Sequence, residues 1–387
     1  MMKILVLNYE YPPLGGGAGN ITRHISQNLV KSGHTVLVVT TWYTGLQEHE
    51  NEPGFPEIIR LKSTRKHMHS SSPFEMFSWM NSTKKYLAEH LKNNKYDVCL
   101  ANFSIPGGIV AKSVKNKFGI PYCVLSHGHD IPWFFKKQMF FYHLLTYFHI
   151  KSVCKQSSYN FIQTEFMKKN IDKFLGKKLS KKNIIIPNGV VPLDSMVRPD
   201  EKLPFTLLFV GRFVEQKDPL TLLHAIKKLK NMHITFRIFL VGDGPMRRVM
   251  EKFVEKHNLK EVTFTGWIPQ NEVINYYKQG HVIITPSLSE GMSIANMEAL
   301  SAGVFLIATP VSGNKEMLSL CSNGVIVEPD DSKEIANQLQ KFYFEQYLPG
   351  NFRAQKLAKL FSEKNSWELI TKKYEEKFQN ICQGQKL

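Results

Sequence analysis

The chain has 387 residues, of which 43% are hydrophobic, and carries 50 Lys and Arg against 33 Asp and Glu, a formal net charge of +17. This length favours two domains with a core each, and the composition excludes a low-complexity or disordered chain. No apolar run approaches the roughly eighteen residues needed to span a bilayer, and the N-terminus lacks the pattern of a signal peptide. We therefore expect a cytoplasmic protein.

The first forty residues predict a strand, a glycine loop, a helix and a second strand. The apolar run 3–8 (KILVLN) is typical of a parallel strand buried on both faces. Ile21, Ile25 and Leu29 recur at helical spacing, and HTVLVVTT (34–41) predicts the next strand. Further strands are predicted at 96–102, 121–128 and 159–164. Such alternation indicates a parallel sheet with helices on both faces.

A second series of strands and helices follows a stretch at 187–204 that is rich in Pro, Asp and Asn and predicts an interdomain connection. Strands are predicted at 205–211, 234–242, 262–266, 281–287, 304–309 and 324–329, helices at 219–230, 245–258, 269–280 and 294–303, and a final amphipathic helix at 366–383. The predicted fold class is α/β, with two doubly wound, Rossmann-like domains and a cleft between them.

The five cysteines are odd in number and far apart, and no two form a Cys-x-x-Cys pair. A disulfide framework and a zinc site are therefore not predicted, and we expect reduced, buried thiols.

The glycine loop 15–20 (GGGAGN) lies where ligands bind in parallel α/β sheets, beyond the carboxyl end of a strand. Several glycines entering a helix can bring backbone N–H groups close to a phosphate. No Gly-Lys-Ser/Thr follows, so the loop is not a P-loop, and the dinucleotide-binding spacing is absent. A plain turn is the alternative.

The loop 210–219 (VGRFVEQKDP) places Arg212 and Lys217 ahead of a helix that is expected to begin at Asp218-Pro219. A guanidinium and an ammonium converging there can neutralise a diphosphate, with the arginine binding in bidentate fashion. Two solvated surface cations are the alternative.

Two glutamates, Glu290 and Glu298, flank the corner between the strand 281–287 and the following helix. Ser293 can cap that helix, whose free N–H groups then face the same edge. The Glu298 carboxylate can accept hydrogen bonds from the cis-diol of a ribose, and Glu290 would lie nearer a sugar. The alternative, a surface glutamate followed by an ordinary helical one, fits less well with the apolar and small residues that flank Glu298 (294–297 and 299–303).

The segment 126–130 (SHGHD) contains His127, His129 and Asp130, which together suggest a metal. The metallo-hydrolase pattern, however, requires a further Asp-His pair, and IPWFF follows instead. Asp-x-Asp, the usual carboxylate pair for a metal-bound nucleotide sugar, is absent from the sequence. We therefore expect no metal, and a histidine that hydrogen-bonds a sugar hydroxyl or a developing charge.

Taken together and in this order, the motifs resemble those of the retaining nucleotide-sugar glycosyltransferases of the GT-B fold, family four, also called glycosyl transferases group 1. The resemblance covers nearly the whole chain. Its elements are YPPLGGGAG (11–19), GHTVLVV (33–39), HGHD (127–130), PNGV (187–190), VGRFVEQKDP (210–219), LVGDGP (240–245), Glu290 and Glu298 as E-x7-E, and Ser366-Trp367.

The resemblance implies roles for individual residues. Glu298 would hold the ribose and Glu290 would lie against the sugar ring. The implied catalytic residues are His127, which would contact the donor sugar from the opposite domain, Arg212, Lys217 and Glu290. The implied donor-binding residues are Gly16, Gly17, Gly211, Arg212, Lys217, Ile268, Glu290, Gly291, Met292, Ser293, Ile294 and Glu298. Many members have Phe at the position of Met292 and Gly at that of Ser293, a difference that bears on the sugar recognised.

The resemblance also implies an acceptor-binding domain at 1–190, a nucleotide-sugar-binding domain at 191–365 and a C-terminal helix at 366–387 that packs back towards the first domain. Such enzymes retain the anomeric configuration, and the acceptor attacks on the face of the leaving group while a phosphate takes its proton. Neither a cofactor nor a metal is implied.

The predicted function is transfer of a hexose or N-acetylhexosamine from a nucleotide-diphosphate sugar to a cell-envelope glycan or lipid-linked acceptor, as in polysaccharide or lipopolysaccharide biosynthesis. Two alternatives are a sugar-nucleotide 2-epimerase, which requires further acid/base carboxylates, and an inactive GT-B protein that binds glycans, which would lack the equivalents of Arg212, Lys217 or Glu298. A nucleic-acid partner is not predicted, because the basic residues are dispersed.

The positive charge is uneven, because residues 1–200 contain 26 Lys and Arg against 13 Asp and Glu. Lysines interleaved with aromatic residues suit anionic lipid headgroups, so we expect a peripheral position on the inner face of the cell membrane. The alternative is a solvated face above core aromatics. The lysines are Lys136, Lys137, Lys151, Lys155, Lys168, Lys169, Lys173, Lys177, Lys178, Lys181 and Lys182, and the apolar residues are Trp133, Phe134, Phe135, Met139, Phe140, Phe141 and Tyr142.

Overall fold

The computed structural model describes residues 1–68, 71–128, 130–132, 140–192, 204–350 and 354–384. Three groups of residues singled out in the sequence lie outside this description. They are His129, residues 133–139, and residues 193–203, which form most of the predicted connection. The chain divides into two compact units, one formed by Met1–Gly189 with Trp367–Leu387 and the other by Val190–Ser366.

The first unit contains a sheet covered by helices on both faces. Its strands are β1 (Lys3–Leu7), β2 (Thr35–Thr41), β3 (His49–Glu50), β4 (Glu57–Leu61), β5 (Val98–Asn102), β6 (Tyr122–Leu125), β7 (Asn160–Ile162) and β8 (Asn183–Ile185). Its helices are α1 (Gly17–Lys31), α2 (Pro73–Asn93), α3 (Ile109–Phe118), α4 (Phe140–Gln156) and α5 (Glu165–Leu175), with helical turns at Phe103–Gly108 and Lys177–Lys182.

The strand order of this sheet is β3-β4-β2-β1-β5-β6-β7-β8, and each neighbouring pair except β3–β4 is parallel. At the centre, Leu5 of β1 lies between Leu37 of β2 and Cys99 of β5. These side chains are buried, as the uninterrupted apolar runs of the central strands predicted.

The second unit contains a fully parallel sheet in the order β11-β10-β9-β12-β13-β14. Its strands are β9 (Thr206–Val210), β10 (Arg237–Val241), β11 (Val262–Gly266), β12 (Val282–Thr285), β13 (Phe305–Ala308) and β14 (Gly324–Ile326). Its helices are α6 (Pro219–Asn231), α7 (Arg247–Lys256), α8 (Gln270–Tyr277), α9 (Ile294–Ser301), α10 (Asn314–Cys321), α11 (Ser332–Phe342) and α12 (Ala354–Lys364), with turns at Glu215–Lys217 and Tyr343–Tyr347. The predicted α/β, doubly wound fold class is confirmed in both units.

The last helix, α13 (Trp367–Cys382), packs on the first unit. The rings of Tyr374 and Phe378 lie edge-on to Phe161 of β7, with centroids 4.9 and 6.1 Å away. The ring of Trp367 stacks on that of His24 at 5.0 Å. Helix α13 thus covers the face of the sheet that also carries α1, opposite to α2, α3 and α4.

All five cysteines are free thiols. Four are buried, as expected, and burial raises the pKa of Cys154 to about 12. The expectation of burial is wrong for Cys382, which is exposed because it lies in the last turn of α13. Of the helices described by the structure, none is long and apolar enough to cross a membrane.

Candidate functional site

The topology of the second unit brings two of the predicted loops together. Strand β9 pairs with both β10 and β12, and the chain runs from β9 outwards to one side through β10 and resumes on the other side at β12. Ligands bind at such a reversal of strand order, beyond the carboxyl ends of the two central strands. The loop 211–218 follows β9, and the loop 286–293 follows β12.

The backbone of the first loop lies directly against the end of β10. The Gly211 N–H donates to the Val241 carbonyl at 2.9 Å, and the Phe213 N–H donates to that of Asp243 at 2.9 Å. A Cβ on Gly242, whose φ is +137°, would lie 2.0 Å from the Gly211 carbonyl oxygen. Only glycine at position 242 therefore allows the loops after β9 and β10 to lie this close together.

Lys217 and Glu290 form an ion pair between the two loops, and their side chains are only 17% and 10% exposed. Burial is the main cause that lowers the pKa of Lys217 to about 8, and the positive charge of the exposed Arg212 is the second. The Glu290 carboxylate opposes this shift, because an opposite charge favours the ammonium form. Lys217 thus has a carboxylate partner in Glu290 and a second cation, Arg212, close enough to act on its charge.

Gln216 joins the same two loops through hydrogen bonds. Its side-chain Nε2 donates to the Ser289 carbonyl at 2.8 Å, and its backbone carbonyl accepts a hydrogen bond from the Leu288 N–H at 2.9 Å. Sequence reasoning missed Gln216, since an amide between two cations shows no charge pattern. The loops bearing Lys217 and Glu290 are consequently held in one arrangement.

Helix α9 begins where the sequence predicted, and its cap is confirmed. The Asn296 N–H donates to Ser293 Oγ at 3.4 Å, and Ser293 is buried. Asn296 also accepts from Thr285 Oγ1 of β12 at 2.7 Å and donates to Asn314 Oδ1 at 3.0 Å. This buried network, not predicted from sequence, fixes the first turn of α9, with Gly291 and Met292 just before it and Ile294 as its first residue.

The Glu298 carboxylate is held by two side chains from α8. Gln270 Nε2 donates to one oxygen at 2.6 Å, and the Tyr277 hydroxyl donates to the other at 3.1 Å. Burial is the main cause that raises the pKa of Tyr277 well above its ordinary value, and the charge of Glu298 is the second. The phenol therefore stays protonated and remains a donor. Glu298 is thereby linked to the loop 266–270, which contains the half-buried Ile268.

In the first unit the glycine loop lies against a carboxylate of the chain itself. Gly16 precedes α1, Gly17 is its first residue, and the Gly16 N–H donates to Glu10 Oε2 at 3.4 Å. A Cβ on Gly15 would lie 2.6 Å from atoms of the Glu10 side chain. Sequence reasoning missed Glu10, which occupies the kind of position at a helix N-terminus that an anion takes.

His127 is oriented by a chain of buried polar groups. Its Nε2 lies 3.0 Å from Asn102 Oδ1, which also accepts from Thr22 Oγ1 at 2.9 Å. Asn8 Nδ2 in turn donates to Thr22 Oγ1 at 2.8 Å. Because an amide oxygen accepts, the proton of a neutral His127 lies on Nε2. The chain of polar groups connects His127 with the first turns of α1.

Asp130 accepts hydrogen bonds from two backbone N–H groups. Its two oxygens accept the His127 N–H at 3.0 Å and the Ser104 N–H at 2.8 Å. Within the ranges that the structure describes, no group of three His, Cys, Asp or Glu side chains is placed to hold a metal ion.

The structure therefore brings Gly211, Arg212, Lys217, Glu290 and the start of α9 to one sheet edge of the second unit, with Glu298 and Ile268 beside α8. Gly16, Gly17 and His127 lie in the first unit, near the carboxyl ends of β1 and β6. The assignment of these residues to donor binding and catalysis stays a prediction.

Comparisons with known proteins place most of the chain in two family models. Residues 197–358 match "Glycosyl transferases group 1" and residues 15–192 match "Glycosyltransferase Family 4". An uncharacterized glycosyltransferase of Methanocaldococcus jannaschii is 27% identical over 97% of this chain and 99% of its own length. The gpi3 subunit of the phosphatidylinositol N-acetylglucosaminyltransferase of Schizosaccharomyces pombe is 26% identical over 52% of this chain and 44% of its own length.

Among solved structures, the sucrose-phosphate synthase of Thermosynechococcus elongatus is similar in fold. The TM-score is 0.81 over 99% of this chain and 100% of that one, at 20% sequence identity.

Proposed function

This chain belongs to the group 1 glycosyl transferases of family 4, retaining enzymes that use nucleotide-sugar donors, and we propose that it transfers a hexose or N-acetylhexosamine to a cell-envelope glycan or lipid-linked acceptor without a metal. The alternative activities considered from sequence, 2-epimerisation and glycan binding alone, find no specific support in the contacts described above.

The observation that carries the proposal is the partly buried Lys217, paired with Glu290 and influenced by the charge of Arg212, at the reversal of strand order of the second unit. Breaking the bond between a sugar and a diphosphate develops negative charge on the leaving group. Fixed cations and helix N-termini in a partly dehydrated site stabilise that charge. A bound diphosphate attracts the Lys217 ammonium more strongly than the Glu290 carboxylate does. The Glu290 carboxylate can then accept hydrogen bonds from the sugar.

We assign the nucleoside to the neighbourhood of Glu298 and the loop 266–270. Gln270 and Tyr277 each donate one hydrogen bond to the Glu298 carboxylate, whose two oxygens together provide about four acceptor sites. Acceptor capacity for the two hydroxyls of a ribose therefore remains. Ile268 offers an apolar contact for the base.

We assign His127 to the donor sugar, as a hydrogen-bonding group with its ring position fixed by Asn102. In a front-face retaining mechanism the acceptor hydroxyl attacks on the side that the diphosphate leaves, and a phosphate oxygen takes the proton. No side-chain base is then required, so neither Glu290 nor Glu298 needs to take a proton.

Two observations support an acceptor at a membrane. The relative from Schizosaccharomyces pombe has phosphatidylinositol in its name, and the excess of lysine lies in the first unit of this chain. A lipid-linked acceptor presents its sugar at an anionic surface, which lysines favour.

The test is transfer from a nucleotide sugar selected by thermal-shift screening, in which a ligand at a hundred times its Kd adds about 2.7 kcal/mol of stability. Arg212→Ala should lower turnover by roughly a hundredfold, the scale of one lost transition-state contact. Arg248→Ala, an exposed arginine on α7, is the matched control. Wild-type turnover in the Arg212 variant would refute the assignment, and activity lost in EDTA but restored by manganese would refute a metal-free reaction.

A further inference from the structure

The outer face of α4 is apolar although it is exposed. Its residues Phe141, Leu144, Leu145 and Phe148 are 77%, 55%, 80% and 79% exposed, and their spacing places them on one side of the helix. The opposite side, with His143, Ile150, Val153 and Cys154, is buried in the unit. A helix that is apolar on both sides requires a partner on both, and the described part of the chain covers only one.

Exposed aromatic rings continue this surface on the neighbouring helices. Helices α2, α3 and α4 share one core on the same face of the sheet, and α5 packs beside α4 with ring centroids of Tyr147 and Phe174 5.0 Å apart. Phe74 and Phe77 in the first two turns of α2 and Phe166 in the first turn of α5 are also more than half exposed.

These rings lie at one edge of the sheet. Each of α2, α4 and α5 follows a strand of the parallel set, so their N-terminal turns lie beside the carboxyl ends of the strands. We call the exposed side chains at this edge the apolar edge. Its members are Phe74, Phe77, Phe141, Leu144, Leu145, Phe148 and Phe166. The same edge of the first unit carries His127 and the glycine loop.

The charge beside the apolar edge is positive. Lys169 and Lys173 are exposed one and two turns after Phe166 on α5, and α4 contains Lys151 and Lys155 but no acidic residue. The Lys151 ammonium lies over the rings of Tyr147 and Phe174, at 5.2 and 5.8 Å. Aromatic and aliphatic side chains with lysines around them match the boundary between headgroups and acyl chains of an anionic bilayer.

We propose that the apolar edge binds the surface of an anionic phospholipid bilayer, with the Phe and Leu side chains of α4 inserted at the acyl boundary and Lys169 and Lys173 at the headgroups. Because His127 lies at the same sheet edge, this contact presents the first unit's site to the membrane. The inference goes beyond the proposed transfer reaction: it requires neither donor nor acceptor, so either can fail while the other holds.

The experiment is co-sedimentation of the full chain with phosphatidylglycerol vesicles and with phosphatidylcholine vesicles. We expect binding to the anionic vesicles that weakens as salt rises from roughly 50 mM to roughly 500 mM, because screening shortens the reach of the lysines. The variant Phe141→Ser/Leu145→Ser/Phe148→Ser should bind at least tenfold more weakly. Its control, Phe344→Ser/Leu348→Ser, removes two apolar side chains of the second unit that are 53% and 56% exposed, and it should bind like the wild type.

A charge variant separates the lysines from the apolar contacts. Lys169→Glu/Lys173→Glu should lose binding to anionic vesicles, whereas Lys252→Glu/Lys256→Glu, exposed lysines with the same spacing on α7, should keep it. Unchanged melting temperatures show that the variants fold. Equal binding of wild type and serine variant, or no binding at low salt, overturns the proposal. A wild-type dimer that becomes a monomer in the serine variant, with vesicle binding unaltered, would instead assign the surface to a second copy of the chain.

Discussion

Lys217 is the residue whose protonation should respond to ligand binding. Its pKa, about 8 in the free protein, is held down by burial and by Arg212, and a bound diphosphate favours the ammonium form and so raises that pKa. Only the protonated lysine attracts the diphosphate, so affinity should level off towards about pH 7 and fall by up to about tenfold per unit above pH 8.

Calorimetry of nucleotide-diphosphate binding between about pH 7.5 and about pH 9.5 measures this, since the diphosphate itself is fully ionised over that range. Proton uptake on binding should appear as a difference between buffers of unequal ionisation enthalpy. Lys217→Arg is the control, because a guanidinium does not titrate in this range. The same pH dependence in that variant would assign the titration to another group.

Glu298 should contribute to affinity for the nucleotide through its carboxylate. Glu298→Ala removes both acceptors for the ribose, and hydrogen bonds to charged groups are worth about 1.5–3 kcal/mol each, so binding should weaken by roughly tenfold or more. Glu298→Gln keeps one acceptor and should lose less. Tyr277→Phe, which removes a donor to Glu298 but keeps the carboxylate, controls for disturbance of α8. Unchanged nucleotide affinity in the alanine variant would disprove the ribose assignment.

At the scale of elements, the two loops that follow β9 and β12 depend on Gln216 for their position relative to each other. The bond from its side chain connects residues 73 positions apart in the chain, and the bond to its carbonyl joins the same two loops. Gln216→Ala removes the side-chain bond, and we expect turnover to fall about tenfold while the melting temperature changes little, since one hydrogen bond contributes about 1 kcal/mol.

The matched control is Gln279→Ala. Gln279 is also half-buried and donates from Nε2 to a carbonyl, that of Asn275 at 2.9 Å, while its Oε1 accepts from Arg237 at 3.4 Å; neither contact involves the loops after β9 and β12. If both variants lose activity equally, or neither does, Gln216 has no positioning role. A positioning role should lower kcat more than it raises KM, because the loops would be misplaced chiefly when charge develops on the diphosphate.

The elements that the sequence predicted are those whose evidence is local. Central strands such as β1 and β12 are unbroken apolar runs, and the caps of α6 and α9 use Asp218 and Ser293 in their usual role. The edge strands β3 and β8, and β4 beside β3, were missed, because short or alternating segments at the sides of a sheet resemble loops. Helix α2 was missed as a defined element, although Ser72 and Glu75 form a capping box that the sequence displays.

The residues of the candidate site also divide into those that a local pattern predicted and those that it did not. Glycines and charges in loops after strands, such as Gly211 and Lys217, were found because their residue types are unusual there. Gln216, Gln270 and Asn102 were not, because an amide acquires its role only from a partner far along the chain. Asn102, for example, contacts Thr22 across 80 residues. No pattern within a single loop indicates that pairing.

At the scale of the molecule, the chain leaves the first unit at Gly189 and returns to it at Trp367. These two residues are in close contact, since a Cβ on Gly189 would lie 2.5 Å from Trp367 Cδ2. Beyond Trp367, the side chain of Phe378 is fully buried against β7. The stability of the first unit therefore depends on residues that are synthesised after the whole of the second unit.

Phe378→Ala should consequently destabilise the first unit alone. The loss of a buried phenyl ring costs about 3–5 kcal/mol, whereas Leu369→Ala on the same helix, at a side chain that is 43% exposed, should cost much less. Hydrogen exchange followed by mass spectrometry distinguishes the units, because amides of β6 and β7 should lose protection in the Phe378 variant while those of β9 and β12 keep theirs. Equal loss of protection in both sheets would mean that the two units unfold as one, and no loss in β7 would mean that α13 contributes little to the sheet it covers.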